Sequence, residues 1–292
     1  MRTITTAAVI FITVISASGT FGQDKKAANL SAAPPNLLLL VRQDVQLSRA
    51  SEQEKLQVNL SHACDRQGAP SFWINLQSLT GSPESMILDP FDSYEHFEQS
   101  RADWRQFNSV HPDLSRLQDE INQMTGSHQK IFAVRRDDVG YLADTIDLSE
   151  MRFMRAIEIH LFPGHEGDFV EGLKILADAY KKIQAETPWV VYQVNAGMSM
   201  PTFLIFMPLT ALAQNDAILA GQLELPDAEG DAAAERLRQI TRESYATTEI
   251  NLYAVRPEMS HVSNEFAEGD PDFWRPKTAP GLKPSTARPN AH

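Results

Sequence analysis

The sequence predicts an α+β protein that contains two consecutive units, each with the element order β-α-β-β-α-β. Residues 151–207 are typical of a strand, a helix and two further strands, and residues 36–88 show the same order earlier in the chain. Helices and a final strand are expected after each stretch. A chain of 292 residues has room for two such units, since domains commonly have about 100–200 residues.

Local similarity supports the repeat. Trp73 and Trp189 begin corresponding strands, and the segment Phe-Ala-Val-Arg at 132–135 corresponds to Tyr-Ala-Val-Arg at 253–256. A repeated order with matching positions predicts a tandem duplication.

The N-terminus has the features of a secretory signal peptide at residues 1–22. Arg2 supplies the positive charge, residues 7–17 form a short apolar run, and small residues precede Gln23. The run is shorter than the roughly 20 residues of a membrane span. We therefore expect an exported protein, periplasmic or extracellular, that has no transmembrane span once the signal is removed. Residues 23–35 are predicted to be a flexible leader.

The charge balance argues against nucleic acid as a partner. The chain has 38 acidic and 26 basic side chains and a formal net charge of −12, which becomes −13 without residues 1–22. Binding to phosphates requires clustered Lys and Arg. The single cysteine, Cys64, cannot form an internal disulfide.

The first unit is predicted to cover residues 36–142. Ser51 and Glu54 have the spacing of a capping box, which predicts the start of a helix. Alternating apolar residues, turn formers and helical periodicity predict strands at 36–43, 71–79, 85–88 and 130–136 and further helices at 94–107 and 112–124.

The second unit is predicted to cover residues 151–262. Phe169, Leu173, Leu176, Tyr180 and Ile183 recur at intervals of four and three, which is the apolar stripe of an amphipathic helix at 167–186. Strands are predicted at 153–161, 189–195, 202–207 and 249–255, and helices at 209–220 and 228–245. The proline-rich residues 265–292 are predicted to be a disordered tail.

Each unit would cover one sheet face with helices and leave the other face bare, and the other unit is the simplest partner for it. This organisation, with the glycine-containing strand-to-helix bend at 161–169, resembles the dimeric α/β-barrel (ferredoxin-like) superfamily over residues 36–262, in particular tandem NIPSNAP-like and antibiotic-biosynthesis-monooxygenase-like proteins. The resemblance implies two ferredoxin-like halves whose antiparallel sheets pack face to face as a pseudo-dimeric barrel. It also implies an interior that often holds a small ligand, in a superfamily that includes cofactor-free oxygenases and haem enzymes.

Alternation along the strands predicts which residues face the barrel interior. Glu158 and His160 are expected there. The candidate ligand-binding residues on the predicted inner faces are Trp73, Gln77, Trp189, Gln193, Asn195, Asn251 and Tyr253, and Gln43, Asn75 and Phe132 are expected beside them. Because unpaired buried polar groups cost about 1–3 kcal/mol each, these side chains predict a wet cavity between the two sheets.

His160, with Glu158 on the same strand face, is the candidate catalytic residue, either as a general base or as a haem ligand. A histidine that is simply hydrogen-bonded in a polar interior is the commoner interpretation of such a residue. No spacing of histidines and acids predicts a metal site. Gly197-Met-Ser-Met-Pro201 lacks the second glycine of a nucleophile elbow.

Three functions remain open from the sequence, and the cofactor is unknown. The first is an exported protein that binds a small organic ligand between its two sheets. The second is a cofactor-independent monooxygenase-like or haem-dependent enzyme that uses His160. The third is a protein-interaction module without catalysis, whose interior would be filled. The sequence leaves the oligomeric state open, with a homo-oligomer as one option.

Overall fold

The computed structural model of the protein describes residues 30–275, except the side chains of residues 222–229. The predicted signal peptide at 1–22, residues 23–29 of the predicted leader and residues 276–292 of the predicted tail lie outside the described residues. Among the helices that are described, none has the length and apolar character needed to cross a membrane.

The first half contains four strands and three helices in the predicted order. The strands are β1 (Leu37–Val45), β2 (Ile74–Ser78), β3 (Glu84–Phe91) and β4 (Thr125–Arg135), and the helices are α1 (Ala50–Gln67), α2 (Tyr94–Val110) and α3 (Pro112–Met124). Helix α2 begins after Ser93, whose side chain accepts a hydrogen bond from the backbone N–H of His96. Helix α1 begins at Ala50 without a side-chain cap, so the predicted capping box does not form.

The second half has the same order. Its strands are β5 (Phe153–Leu161), β6 (Val190–Ala196), β7 (Thr202–Leu209) and β8 (Tyr245–Val255), and its helices are α4 (Glu166–Lys182), α5 (Gln214–Glu229) and α6 (Asp231–Ser244). Two helices of four residues follow, α7 (Asn264–Ala267) and α8 (Pro271–Trp274).

The eight strands form a closed antiparallel barrel in the order β1-β3-β2-β8-β5-β7-β6-β4. In each half one strand, β3 or β7, lies between the two strands that the first helix connects, which is the split β-α-β arrangement. Pairing of β2 with β8 and of β4 with β6 joins the halves. The protein is therefore a mixed α/β structure with a barrel that has no free strand edge.

Side chains from both halves fill the inside of the barrel. Leu40, Leu76, Ile131, Met154 and Tyr192 belong to one buried cluster there and are at most 2% exposed. Two cavities that reach this cluster have volumes of about 30 and 20 Å³, which is room for about one or two waters each. The expected wet cavity between the two sheets is therefore wrong: apolar side chains occupy the space.

The chain termini of the described region close one end of the barrel. Leu30 and the C-terminal residues Val262, Phe266 and Trp274 are buried in the barrel cluster. The indole N–H of Trp274 donates to the backbone carbonyl of Ser149 at 2.7 Å. Two predictions are corrected here: residues 30–35 of the leader and 265–275 of the tail pack against the barrel, because each supplies apolar side chains that the barrel end would otherwise expose.

The predicted strand faces are correct in two strands and wrong in four. Glu158 of β5 and Tyr253 of β8 lie on the inner side. In β1, β2, β4 and β6 the prediction is inverted: the residues expected inside lie on the helix side, and apolar residues face the barrel. These inner residues are Leu38 and Leu40 of β1, Ile74 and Leu76 of β2, Ile131 and Ala133 of β4, and Val190, Tyr192 and Val194 of β6. The prediction placed the polar residues of each strand in the barrel interior. In the first half they face the cavity on the helix side instead, and the barrel interior is apolar.

Candidate ligand-binding site

A cavity of about 530 Å³ lies on the outer face of the first-half sheet, beneath α1, α2 and α3. Its lining comes from β1, β2, β3 and β4, from the three helices, and from Met259 near the C-terminal segment. The packed cluster on this side of the sheet is small, with Leu37, Leu39 and Phe91 as its buried members. The first-half helices thus enclose a space instead of completing a core.

Hydrogen-bonded amides form one wall of this cavity. The side-chain amide of Gln57 on α1 donates to Gln43 on β1 at 3.2 Å, and that of Asn75 on β2 donates to Gln57 at 3.4 Å. Ser85 on β3 donates to the side-chain oxygen of Asn75 at 3.2 Å. All four residues are at least nine-tenths buried. The wall is pre-organised because each amide is held by its neighbour.

Asp89 on β3 places a carboxyl group at the cavity. Its side chain is half-buried at the cavity surface, and its Oδ1 atom is fully buried without a hydrogen-bond partner. Burial raises the pKa of Asp89 to about 8, and the charge of Lys130 acts in the opposite direction. Asp89 is therefore mostly neutral at pH 7 and can donate a hydrogen bond. The Oδ1 atom of Asn108, another lining residue, also lacks a partner.

Aromatic rings supply the apolar part of the lining. Phe91 and Phe97 meet edge to face with centroids 5.3 Å apart. The indole N–H of Trp104 donates to Ser71 at 2.8 Å, and that of Trp73 donates to the backbone carbonyl of Met259 at 3.0 Å. The indole N–H groups are thereby satisfied, and the hydrogen bonds fix the positions of the two rings in the cavity lining.

Basic side chains surround the cavity on its exposed side. Arg101 and Arg105 of α2 and His128 and Lys130 of β4 are all exposed lining residues. Within the described residues, Arg101, Arg105 and Lys130 form no ion pair with a carboxylate. The Arg101 guanidinium lies 5.9 Å from the centre of the Phe97 ring, within cation–π range.

In the second half, the equivalent region between the sheet and the helices is a packed apolar core. Leu38 pairs with Pro90 as Met154 pairs with Pro208, so the strand pairing defines equivalent positions in the two halves. Polar residues of the first half correspond to apolar ones that are at most 4% exposed; the pairs are Gln43 and Ile159, Asn75 and Val191, Ser85 and Phe203, and Asp89 and Met207.

Helices α1 and α4 show the same contrast. The inner stripe of α4 is apolar, whereas α1 carries small or polar residues with the same spacing; the pairs are Gln53 and Phe169, Gln57 and Leu173, Ser61 and Ala177, and Cys64 and Tyr180. Tyr180 packs edge to face on Trp189 at 4.8 Å, and Phe169 lies against Phe203 at 4.5 Å. These contacts fill in the second half the volume that the first half leaves open.

The candidate catalytic residues lie at the other end of the barrel from the terminal segments. His160 Nε2 is 2.8 Å from Glu158 Oε1, and its Nδ1 is 2.6 Å from the hydroxyl of Thr202. Arg42 pairs with Glu158 at 2.9 Å and with Glu84 at 3.1 Å, and the hydroxyl of Tyr253 donates to Glu84. The prediction that Glu158 and His160 lie together is confirmed in space, and their catalytic role stays a prediction.

A haem bound through His160 does not fit this arrangement. Both ring nitrogens of His160 already have hydrogen-bond partners, and the neighbouring cavity at Glu158 has a volume of about 20 Å³. Among the described residues, no group of three or more His, Cys, Asp and Glu side chains is placed to hold a metal ion.

The seven predicted ligand-binding residues are scattered. Trp73 lines the large cavity, and Asn251 and Tyr253 line the small one at Glu158. Trp189 belongs to the second-half core. The others have polar partners at the surface of the barrel: Gln77 accepts from Arg256, Gln193 from Arg136, and Asn195 from Tyr94.

Several cavity residues were not predicted from the sequence, notably Gln57, Asp89 and Trp104. One signal could have found the α1 residue Gln57, although not Asp89 or Trp104. Gln53, Gln57 and Ser61 recur every four residues on α1, at the spacing where α4 has an apolar stripe. Polar residues at core positions in one copy of a repeated unit indicate that this copy does not complete a core there.

No protein-family model and no curated protein matches the chain. Solved structures with a similar fold include an anthrone oxidase-like protein, with 13% identity, coverage of 78% of this chain and 94% of that chain, and a TM-score of 0.49. A candidate monooxygenase from Lactobacillus acidophilus NCFM has 8% identity, coverage of 75% and 93%, and a TM-score of 0.45. Chlorite dismutase from Candidatus Nitrospira defluvii has 10% identity, coverage of 81% and 96%, and a TM-score of 0.44.

Proposed function

We propose that the protein binds a small organic molecule in the cavity between the first-half sheet and helices α1, α2 and α3. One observation carries the proposal: a polar, aromatic-lined space of about 530 Å³ stands where the second half has a solid apolar core. This volume is within the range of roughly 300–1,000 Å³ for small-molecule sites.

The cost of this cavity in folding free energy supports a role in ligand binding. Protein interiors are close-packed, and a core with this volume missing loses many favourable contacts. Among the described residues of its lining, Asp89 and Asn108 also have buried oxygens without partners, each of which costs about 1–3 kcal/mol. A cavity with this composition lowers stability, and binding provides a reason for it.

The experiment fills the first-half cavity with the residues of the second half. Gln57→Leu and Asn75→Val together copy Leu173 and Val191. Binding is measured by fluorescence titration with phenyl naphthylamine, a neutral dye that brightens in apolar sites. We expect the double variant to weaken dye binding by about tenfold or more, since the ligand body loses its space.

Asn251→Val is the matched control, because Asn251 lies at the small barrel cavity, away from α1. It should leave the dye affinity within about twofold. Far-ultraviolet circular dichroism checks that each variant is folded. Equal dye binding by the wild type and the folded double variant would overturn the proposed site.

We infer in addition that the protein is exported through residues 1–22 and that its halves descend from one duplicated unit, as in NIPSNAP-like proteins. The signal-like N-terminus supports export, and the shared element order supports duplication. Mass spectrometry of the mature protein tests export. A periplasmic or secreted form that begins near Gln23 is expected, and a cytoplasmic form that keeps residues 1–22 would contradict it.

A further inference from the structure

We infer that the molecule bound in this cavity is an organic anion, with its acidic group among Arg101, Arg105 and Lys130 and its apolar body between the aromatic side chains. The inference rests on the proposed function and specifies the ligand class. The lining of the cavity divides by depth: cations occupy the exposed side, whereas neutral amides and rings form the interior.

The charge distribution around the cavity is the first argument. The chain has a formal net charge of −12, so carboxylates outnumber cations. Most of the described arginines have a carboxylate partner, including Arg42, Arg136 and Arg256. Three cations at the same cavity, Arg101, Arg105 and Lys130, have no carboxylate partner among the residues that the structure describes. Charged side chains left unpaired together in an acidic protein create a local field that attracts an anion.

The interior of the cavity presents little negative charge that would repel an anion. Among the described residues, Asp89 is the one acidic residue in its lining, and burial keeps its carboxyl group mostly protonated at neutral pH. In that form Asp89 donates a hydrogen bond, as does the free N–H of an amide such as Gln43. A ligand that carries acceptor oxygens can therefore reach the wall without meeting a negative charge.

The position of Arg101 favours an aromatic or similarly flat body. Its guanidinium is held 5.9 Å from the Phe97 ring, and Phe97 meets Phe91 edge to face. The cation thus lies beside the aromatic wall. A ligand whose acidic group is attached directly to a flat apolar body contacts both at once.

Two dyes with the same body test the charge requirement. Anilinonaphthalene sulfonate carries a sulfonate that phenyl naphthylamine lacks, and both are titrated by fluorescence at low ionic strength. We expect the sulfonate to bind about tenfold or more tightly than the neutral dye. In the variant Arg105→Gln with Lys130→Gln, its affinity should fall by about tenfold while that of the neutral dye stays within about twofold.

The matched control is Lys174→Gln, which removes an exposed cation from α4 in the second half. It should change neither affinity by more than about twofold. Equal affinities for the two dyes, or equal losses of both in the double variant, would overturn the anion inference. Failure of the proposed site is distinguishable, because then Gln57→Leu with Asn75→Val would change the binding of neither dye.

Discussion

Asp89 is the residue whose environment is least expected from the sequence. Its carboxyl group lies at a cavity, has an unpartnered oxygen and has a pKa raised to about 8 by burial. A carboxyl with a raised pKa in a cleft is a recurrent property of functional sites. Here we expect it to make the stability of the protein depend on pH.

Replacing Asp89 with Asn should stabilise the protein in a pH-dependent manner. The folded pKa lies above the unfolded value near 4, so the folded state binds more protons and wild-type stability falls between about pH 4 and 8. The advantage of Asp89→Asn should therefore grow through this window, by at most about 1.4 kcal/mol per pH unit, and level off above it. Urea unfolding at a series of pH values measures this, and an advantage that is constant with pH would contradict it.

Arg42 should be more important for folding than an exposed arginine. It contacts Glu84 and Glu158, whose side chains are 8% and 16% exposed. Arg42→Gln leaves both carboxylates without their cation, and we expect a loss of about 3–5 kcal/mol in the free energy of unfolding. Arg49→Gln breaks an exposed pair with Glu52 and should cost less than about 1 kcal/mol. Similar losses in urea unfolding would argue against a special role for Arg42.

At the scale of elements, α1 and α4 show how far the sequence can predict the structure. Both helices and all eight strands follow from periodicity and turn signals. The faces of β1, β2, β4 and β6 do not, because these strands are covered on both sides. In the first half the polar residues of the strands face the cavity under the helices and not the barrel. Phe132 and Tyr253 illustrate the limit: they occupy matching places in the sequence, yet Phe132 packs on the helix side and Tyr253 in the barrel.

Two glutamines on helix α1 allow a test of what an unpaired buried amide costs in stability. Gln53 is 2% exposed, and both polar atoms of its side chain lack a partner, whereas Gln57 on the same helix is hydrogen-bonded on both. Gln53→Met should raise the free energy of unfolding by about 1–3 kcal/mol, because the cost of burying the amide disappears. Gln57→Met is the matched control and should give no gain. Equal effects in urea unfolding would mean that Gln53 has a partner.

For the whole molecule, the barrel interior is filled and the proposed site lies outside it. The barrel closes where β2 pairs with β8 and where β4 pairs with β6. These two pairings could not be predicted from either half alone, since they join residues far apart in the chain. The terminal segments complete the core at one end. From the sequence, a flexible leader and a disordered tail were predicted for these segments, so their packing on the barrel was not predicted.

Trp274 should therefore be a major contributor to stability, although it lies in a segment that resembles a disordered tail. It is 2% exposed and packs against Phe266 and Phe273. Trp274→Ala should lower the free energy of unfolding by about 3–5 kcal/mol. Phe162→Ala, at a side chain that is 48% exposed, should cost less than about 1 kcal/mol. A similar small effect at Trp274 in thermal unfolding would show that the segment is dispensable.

The central claim is that the first half holds a ligand between its sheet and its helices while the barrel interior is filled. A crystal structure of the full chain with anilinonaphthalene sulfonate tests it most directly. The account predicts density for the dye beneath α1, α2 and α3, with the sulfonate near Arg105 and Lys130. Dye inside the barrel, or only water beneath these helices, would contradict it.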